Sequence, residues 1–242
     1  MRLIKKIFID LLFKINEEKA LKFISALGND HLDRGNFKAG IFYFDNLVVY
    51  NPKKIEYRYK RGTCYYHLSE YQLALSDYNK CLKILAFNSK IKKDVYYFAR
   101  GLVYFKIRKY EDAMKDFDIC FEKYQHLEAL IHKGMCKANL NKLDEALIDY
   151  NKAEDLGADS SVLFNQRGLA LFKLKMLDKA LLDVNTSITK YGSDFSKLYN
   201  RGLIHFKNED WTLALSDFES VLGLCPNHTN ALIHKKDILK RI

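Results

Sequence analysis

The sequence predicts an all-α fold built as a solenoid of stacked helix-turn-helix units, and three regularities carry that prediction. Glycines fall at Gly28, Gly62, Gly101, Gly134, Gly168 and Gly202, at steps of 34, 39, 33, 34 and 34 residues. Twelve places after each stands a small residue, namely Gly40, Ala74, Ala113, Ala146, Ala180 and Ala214. Around these pairs, apolar residues recur at intervals of three and four, the period of an amphipathic helix. A fixed period of this size marks two-helix units that bury their apolar faces only by stacking on one another. The chain has two prolines and eleven glycines in 242 residues, at repeat-related places, so the array reads as one elongated domain without a linker.

Residues 1–20 read as an amphipathic capping helix. Ile4, Ile7, Phe8, Leu11, Leu12 and Ile15 form an apolar stripe with Lys5, Lys6 and Lys14 outside it. Docking of the stripe under the first repeat is expected; the alternative is peripheral contact of residues 1–15 with a membrane surface or a partner. The lysines and Asp10 interrupt any signal-peptide core, and no run approaches the roughly 18 apolar residues of a membrane span.

Residues 21–228 divide into six units, about 21–54, 55–93, 94–126, 127–160, 161–194 and 195–228. In the cleanest copy, the last, Leu198, Gly202, His205 and Phe206 lie on one face of a first helix, and Lys207 to Asp210 make a turn. A second helix then carries Trp211, Ala214, Phe218 and Val221, and Pro226 closes the unit. Gly202 and Ala214 fall where the two helices cross, and Trp211 and Phe218 fill the space around them. The same grammar runs through Tyr71, Ala74 and Tyr78; Tyr110, Ala113 and Phe117; Leu143, Ala146 and Tyr150; and Leu177, Ala180 and Val184. The first copy is the most degenerate, with Gly40 and His31 at two of its marker positions. The long step between the second and third copies comes from extra residues around Ser89 to Lys93, read as a helical extension or a basic loop. Residues 229–242 read as a closing helix with Leu232 and Ile238 inward and Lys235, Lys236, Lys240 and Arg241 exposed.

These units resemble the tetratricopeptide repeat, whose pattern is a large or aromatic residue, then Leu-Gly, Tyr, Ala, Phe and Pro across about 34 residues. The resemblance covers residues 21–228. The usual tryptophan is replaced by Ile24, Arg58, Tyr97, Leu130, Phe164 and Leu198, and the closing proline survives only at Pro52 and Pro226. The resemblance implies a right-handed superhelix, with the first helices of successive repeats lining a concave groove. Mapped onto this sequence, the groove takes Tyr59 and Tyr66 from the second copy and Phe98, Phe105 and Lys106 from the third. The fourth gives Ile131, Met135 and Asn139; the fifth Asn165, Phe172 and Lys173; the sixth Tyr199, Phe206 and Lys207. That pattern is an exposed aromatic surface beside a lysine ladder. It suits a protein partner whose extended or helical segment has apolar anchors and acidic flanks. At the positions where some relatives clamp the carboxylate tail of heat-shock chaperones, this chain has Ser25, Asn29, Lys60, Val95 and Ala99. Only Asn29 agrees, so chaperone-tail binding is not expected.

The formal charge is +10, with 40 basic residues scattered among 30 acidic ones. It keeps open an alternative, an RNA- or other polyanion-binding solenoid, although no contiguous basic stripe is visible. In the last five copies a basic residue precedes the glycine and an aspartate follows sixteen places later: Arg61 and Asp77, Arg100 and Asp116, Lys133 and Asp149, Arg167 and Asp183, Arg201 and Asp217. Repetition at a hairpin spacing reads as ion pairs of about 0–1 kcal/mol each rather than as catalytic carboxylates. His132 and Cys136 share a helix face, but no second ligand pair of familiar spacing completes a metal site, and phosphate loops are absent. No catalysis, metal or cofactor is expected. Cys64, Cys81, Cys120 and Cys136 stand at small-residue positions inside the repeats and read as reduced, buried thiols of a cytoplasmic protein. The sequence thus points to a non-enzymatic adaptor or scaffold.

Overall fold

The structure is a computed structural model, and it describes residues 2–86 and 92–242. Among these residues the chain forms fourteen α-helices. A leading helix α1 (Arg2–Ile15) is followed by six hairpins: α2 (Glu17–Asp33) with α3 (Phe37–Tyr50), α4 (Ile55–His67) with α5 (Tyr71–Leu85), and α6 (Asp94–Lys106) with α7 (Tyr110–Tyr124). Then come α8 (Leu127–Asn139) with α9 (Leu143–Asp155), α10 (Ser161–Lys173) with α11 (Leu177–Tyr191), and α12 (Phe195–Lys207) with α13 (Trp211–Leu224). A last helix, α14 (Thr229–Ile238), packs on α13. The contacts divide the chain into two compact units, residues 1–125 and 126–242, where the sequence alone suggests one domain. Ser89, within the insertion, lies outside the described residues.

Each hairpin turn has the same backbone. The residues at Gly35, Ser69, Arg108, Asn141, Lys175 and Glu209 are left-handed, with φ between 60° and 71°. The following N–H reaches back to the first helix, as in Glu70 N to Tyr65 O at 2.8 Å and Met176 N to Leu171 O at 2.9 Å. This six-to-one bond over a left-handed residue satisfies carbonyls at the helix end and turns the chain by a fixed angle. Only the first copy fills the left-handed position with glycine, which has no Cβ to be strained there.

The crossing glycines are required by contact. At Gly134 an added Cβ would stand 2.6 Å from Cε1 of Tyr150, and at Gly62 it would stand 2.7 Å from Cε1 of Tyr78. Opposite them, Ala74, Ala113, Ala146, Ala180 and Ala214 are fully buried. In the first unit Ile24, Phe44, Leu47 and Cys64 form one cluster, and Ala74, Tyr78 and Val103 form another. In the second unit Leu171, Val184 and Ile204 pack together, and Leu198, Phe218, Val221 and Ile238 follow.

A guanidinium ladder sets the register of both units. Arg61 donates from Nε and Nη2 to the two oxygens of Asp77 at 2.8 and 2.7 Å, and from Nη1 to Asp45 of the preceding hairpin at 2.8 Å. Arg100 does the same with Asp116 and Asn79, Arg167 with Asp183 and Asn151, and Arg201 with Asp217 and Asn185. Each arginine therefore ties its own helix to two others. The carboxylates are buried, Asp77 and Asp116 at 2% exposure, so these pairs are not the partly exposed bridges of the sequence reading. In the fourth repeat Lys137 also meets Asp149, its Nζ 2.7 Å from Oδ2 and one turn beyond Lys133. A lysine supplies a point charge where arginine supplies a fork, and Oδ2 has no hydrogen bond of good geometry.

The two end helices dock differently from the sequence expectation. α1 is held through Ile9 and Phe13, 3% and 9% exposed, and Phe13 stacks on Tyr50 with centroids 3.6 Å apart. Ile7, Phe8, Leu11 and Ile15, expected to dock, are exposed. In α14, Ala231 and Ile238 are buried whereas Leu232 is 47% exposed, because the seven-residue spacing of 231 and 238 puts position 232 about 100° away.

Candidate functional site

In the first unit α4 carries Tyr59 and Tyr66, and α6 carries Phe98, Phe105 and Lys106. Each ring is half-buried against a partner inside its own hairpin. Tyr59 packs on Tyr78 and Phe98 on Phe117, with centroids 5.8 and 5.7 Å apart. One helical turn short of the hairpin bend, Tyr66 packs on Tyr71 and Phe105 on Tyr110 at 6.1 and 5.6 Å. Tyr59 also meets Tyr96 of the next hairpin at 5.2 Å. Burial pushes the Tyr59 and Tyr66 hydroxyls above their ordinary pKa, so both stay protonated donors.

The second unit repeats the plan. Tyr199 packs on Phe218 at 5.8 Å and Phe206 on Trp211 at 5.3 Å, and Phe172 of α10 lies half-buried against the core of its hairpin. Here α14 and the residues after it cover part of the row: His234 lies 5.0 Å from the Phe206 ring, and the Arg241 guanidinium stands over Phe206 and Trp211 at 5.7 and 5.1 Å. Asn165 is 8% exposed, and its Oδ1 accepts a bond from Nδ2 of Asn200 at 3.1 Å. Ile131, on α8, is 2% exposed. Two residues read as groove-facing are therefore core residues.

The expected open aromatic surface is thus replaced by rings that serve as hairpin core on one edge and meet solvent on the other. Lys106, Lys173 and Lys207 are exposed, each the last residue of its helix, where an ammonium also complements the C-terminal carbonyls. Apolar side chains that stand further in the open lie elsewhere: Val49, Ile148 and Leu182 on second helices at 71%, 64% and 68%, and the outer face of α1. A cleft of about 640 Å³ in the first unit is lined by Lys5, Ile41, Phe42, Asp45, Tyr65, Leu68 and Leu73. It joins α1, α3, α4 and α5, so no spacing within one repeat discloses it. Asn29 accepts from Lys60 Nζ at 2.9 Å, which commits the one residue that matched the chaperone clamp. Among the described residues no group of three or more His, Cys, Asp or Glu is placed to hold a metal, and no helix is long and apolar enough to cross a membrane. Cys64, Cys81, Cys120 and Cys136 are buried thiols, and burial pushes Cys81 and Cys120 up to about 12.

Stacked hairpins, each closed by a left-handed turn, with a crossing glycine under a ring or, at Gly168, under Val184, define a helical-repeat protein. The tetratricopeptide repeat model matches residues 25–88 and 98–161, more than half of the chain, and the chain belongs to that family. No curated protein matches it by sequence. Among solved structures it is similar to a chain of the APC/C hetero-tetramer Cut9–Hcn1, with TM-score 0.80, 18% identity and 97% of this chain covered; this chain spans 45% of the length of that one. It is also similar to a tetratricopeptide repeat protein from Parabacteroides merdae, with TM-score 0.74 and 19% identity, covering 96% and 90% of the two chains. A third neighbour is YrrB, a protein of this repeat type with an unusual peptide-binding site, at TM-score 0.55 and 21% identity over 80% of this chain and 97% of that one. At these identities the likeness establishes the fold.

Proposed function

We propose that the chain is a non-enzymatic adaptor whose first helices bind a partner segment carrying apolar anchors and acidic flanks. The observation that carries this reading is the recurrence, on α6, α10 and α12, of a half-exposed ring followed by an exposed lysine: Phe105 and Lys106, Phe172 and Lys173, Phe206 and Lys207. A ring fixed on one edge by its own hairpin loses little conformational entropy when its other edge is covered, which favours it as a binding anchor. The lysines supply the charge that would choose an acidic segment over a basic one. Peptide binding by YrrB lends support from the same repeat type. The polyanion alternative is weakened because four of the nine arginines, Arg61, Arg100, Arg167 and Arg201, are committed to internal carboxylates.

The test is selection of peptides from a random display library against the immobilised chain, followed by fluorescence anisotropy. Enrichment of apolar sequences with acidic flanks is expected, with affinity reduced about tenfold or more by the double charge reversal Lys173→Glu with Lys207→Glu, both within the second unit. Both lysines are exposed, so the substitutions leave the core intact. The adaptor reading fails if no sequence is enriched or if the reversal leaves affinity unchanged. Tighter binding of a single-stranded RNA, lost steeply as salt rises, would replace it with the polyanion reading.

A further inference from the structure

α1 carries two apolar faces, and only one is used. Ile9 and Phe13 are buried, Phe13 stacks on Tyr50, and Lys6 donates from Nζ to Oδ1 of Asn46 at 2.6 Å. Asp10, the one acidic residue of the helix, accepts from the Tyr50 hydroxyl at 2.7 Å and pairs with Lys6 at 2.9 Å. The docked edge therefore consumes the helix's only carboxylate. On the opposite side Leu3, Ile7, Phe8, Leu11 and Ile15 are exposed at 72%, 51%, 53%, 51% and 81%. At 100° per residue they fall within one arc, which runs about 18 Å along the axis. Exposed Lys5 lies one turn from Phe8, and exposed Lys14 one turn from Leu11.

We propose that α1 is an interfacial helix that lays the chain on an anionic lipid surface, with Ile7, Phe8 and Leu11 sunk among the acyl chains and Lys5 and Lys14 at the headgroups. An apolar arc edged by lysines and free of carboxylates is the pattern that an anionic bilayer surface accepts. Charge disfavours a second copy of the chain, because a two-fold contact through this arc would face its lysines toward one another and the arc itself holds no carboxylate to meet them. The face lies on a helix already anchored to α3, so binding needs no refolding of the repeats, and it is separate from the ring rows.

The test is co-sedimentation of the full chain with vesicles of phosphatidylcholine containing about 30 mol% phosphatidylserine, against vesicles of phosphatidylcholine alone. Binding to the anionic vesicles is expected, weakened by high salt, and reduced about tenfold or more in Ile7→Glu with Leu11→Glu. Both side chains are exposed, and circular dichroism verifies that helicity is kept. Ile148→Glu with Leu182→Glu, equally exposed on the second unit, is expected to bind as the wild type does. Three results overturn the proposal: no binding to anionic vesicles, equal loss in both double variants, or a dimer in analytical ultracentrifugation that the α1 pair dissociates while vesicles capture nothing.

Discussion

Replacing Arg61 by methionine keeps the packing stem of the side chain and removes its fork from Asp77. The carboxylate is 2% exposed, so water cannot take over the two charge-assisted bonds of 2.8 and 2.7 Å that it loses. A hydrogen bond to a charged group contributes about 1.5–3 kcal/mol, and two of them agree with the roughly 3–5 kcal/mol lost when one partner of a buried pair is removed. The third contact, to Asp45 at 38% side-chain exposure, adds less than about 1 kcal/mol. Removing both partners, as Arg61→Met with Asp77→Leu, leaves no orphaned charge and is expected to recover most of the loss. In an array the damage is local, so the readout is amide exchange by mass spectrometry, with faster exchange in α4 and α5 than in α12 and α13. The exposed pair Lys22 and Glu18, at 77% and 78%, serves as the reference, and breaking it is expected to leave the exchange of α4 and α5 unchanged. If Arg61→Met speeds that exchange no more than the reference does, the ladder does not set the register.

Gly134→Ala would bring a methyl to 2.6 Å from the Tyr150 ring, and overpacking of this kind costs about 1–3 kcal/mol, seen as a lowered Tm. Lys175→Gly relieves a side chain at φ 62°, and a gain of about 0.5–1 kcal/mol is expected by the same melt; a loss would show that the lysine makes contacts worth more than the strain. His234 is desolvated between Phe206 and Phe218, which holds its pKa below the ordinary 6.5, although Asp237 opposes the shift. The unfolded chain therefore takes up a proton at a higher pH than the folded one, so stability is full above about 6.5 and falls as pH drops below it. Urea midpoints at pH 7.5 and 5.5 are expected to differ less for His234→Phe than for the wild type.

What the sequence discloses is what one repeat contains. The glycine and alanine twelve apart, and the arginine and aspartate sixteen apart, are fixed by a single hairpin whose turn has one geometry, so spacing alone brings them together. Elements that depend on a neighbour are less readable. The stripe of α1 misleads because the helix is apolar on both sides, and its orientation is decided by Asn46 and Tyr50, forty residues away. Lys137 reaches Asp149 from one turn further along α8, which a long, flexible ammonium stem allows and a sixteen-residue spacing does not disclose. Leu232 turns outward because Ala231, with a smaller side chain, lets α14 approach Phe218 and Val221.

The rings illustrate a limit on reading binding sites from repeats. Tyr59 with Tyr78, Phe98 with Phe117, and Tyr199 with Phe218 have the same spacing and nearly the same separation, so their recurrence has a structural cause and cannot by itself signal a ligand. Truncating such a ring would open a cavity as well as remove an anchor, and a lost interaction would then report either event. Discrimination has to come from residues with no packing duty. Lys173 and Lys207 meet that condition on first helices of the second unit, as Ile7 and Leu11 do on α1, since all four stand in solvent. Charge reversal at the lysines and charge insertion at the apolar pair act on different surfaces of an intact fold. A chain that loses peptide with the first and vesicles with the second would use the two surfaces independently, an adaptor held at a membrane by α1 with its ring rows left open to a partner.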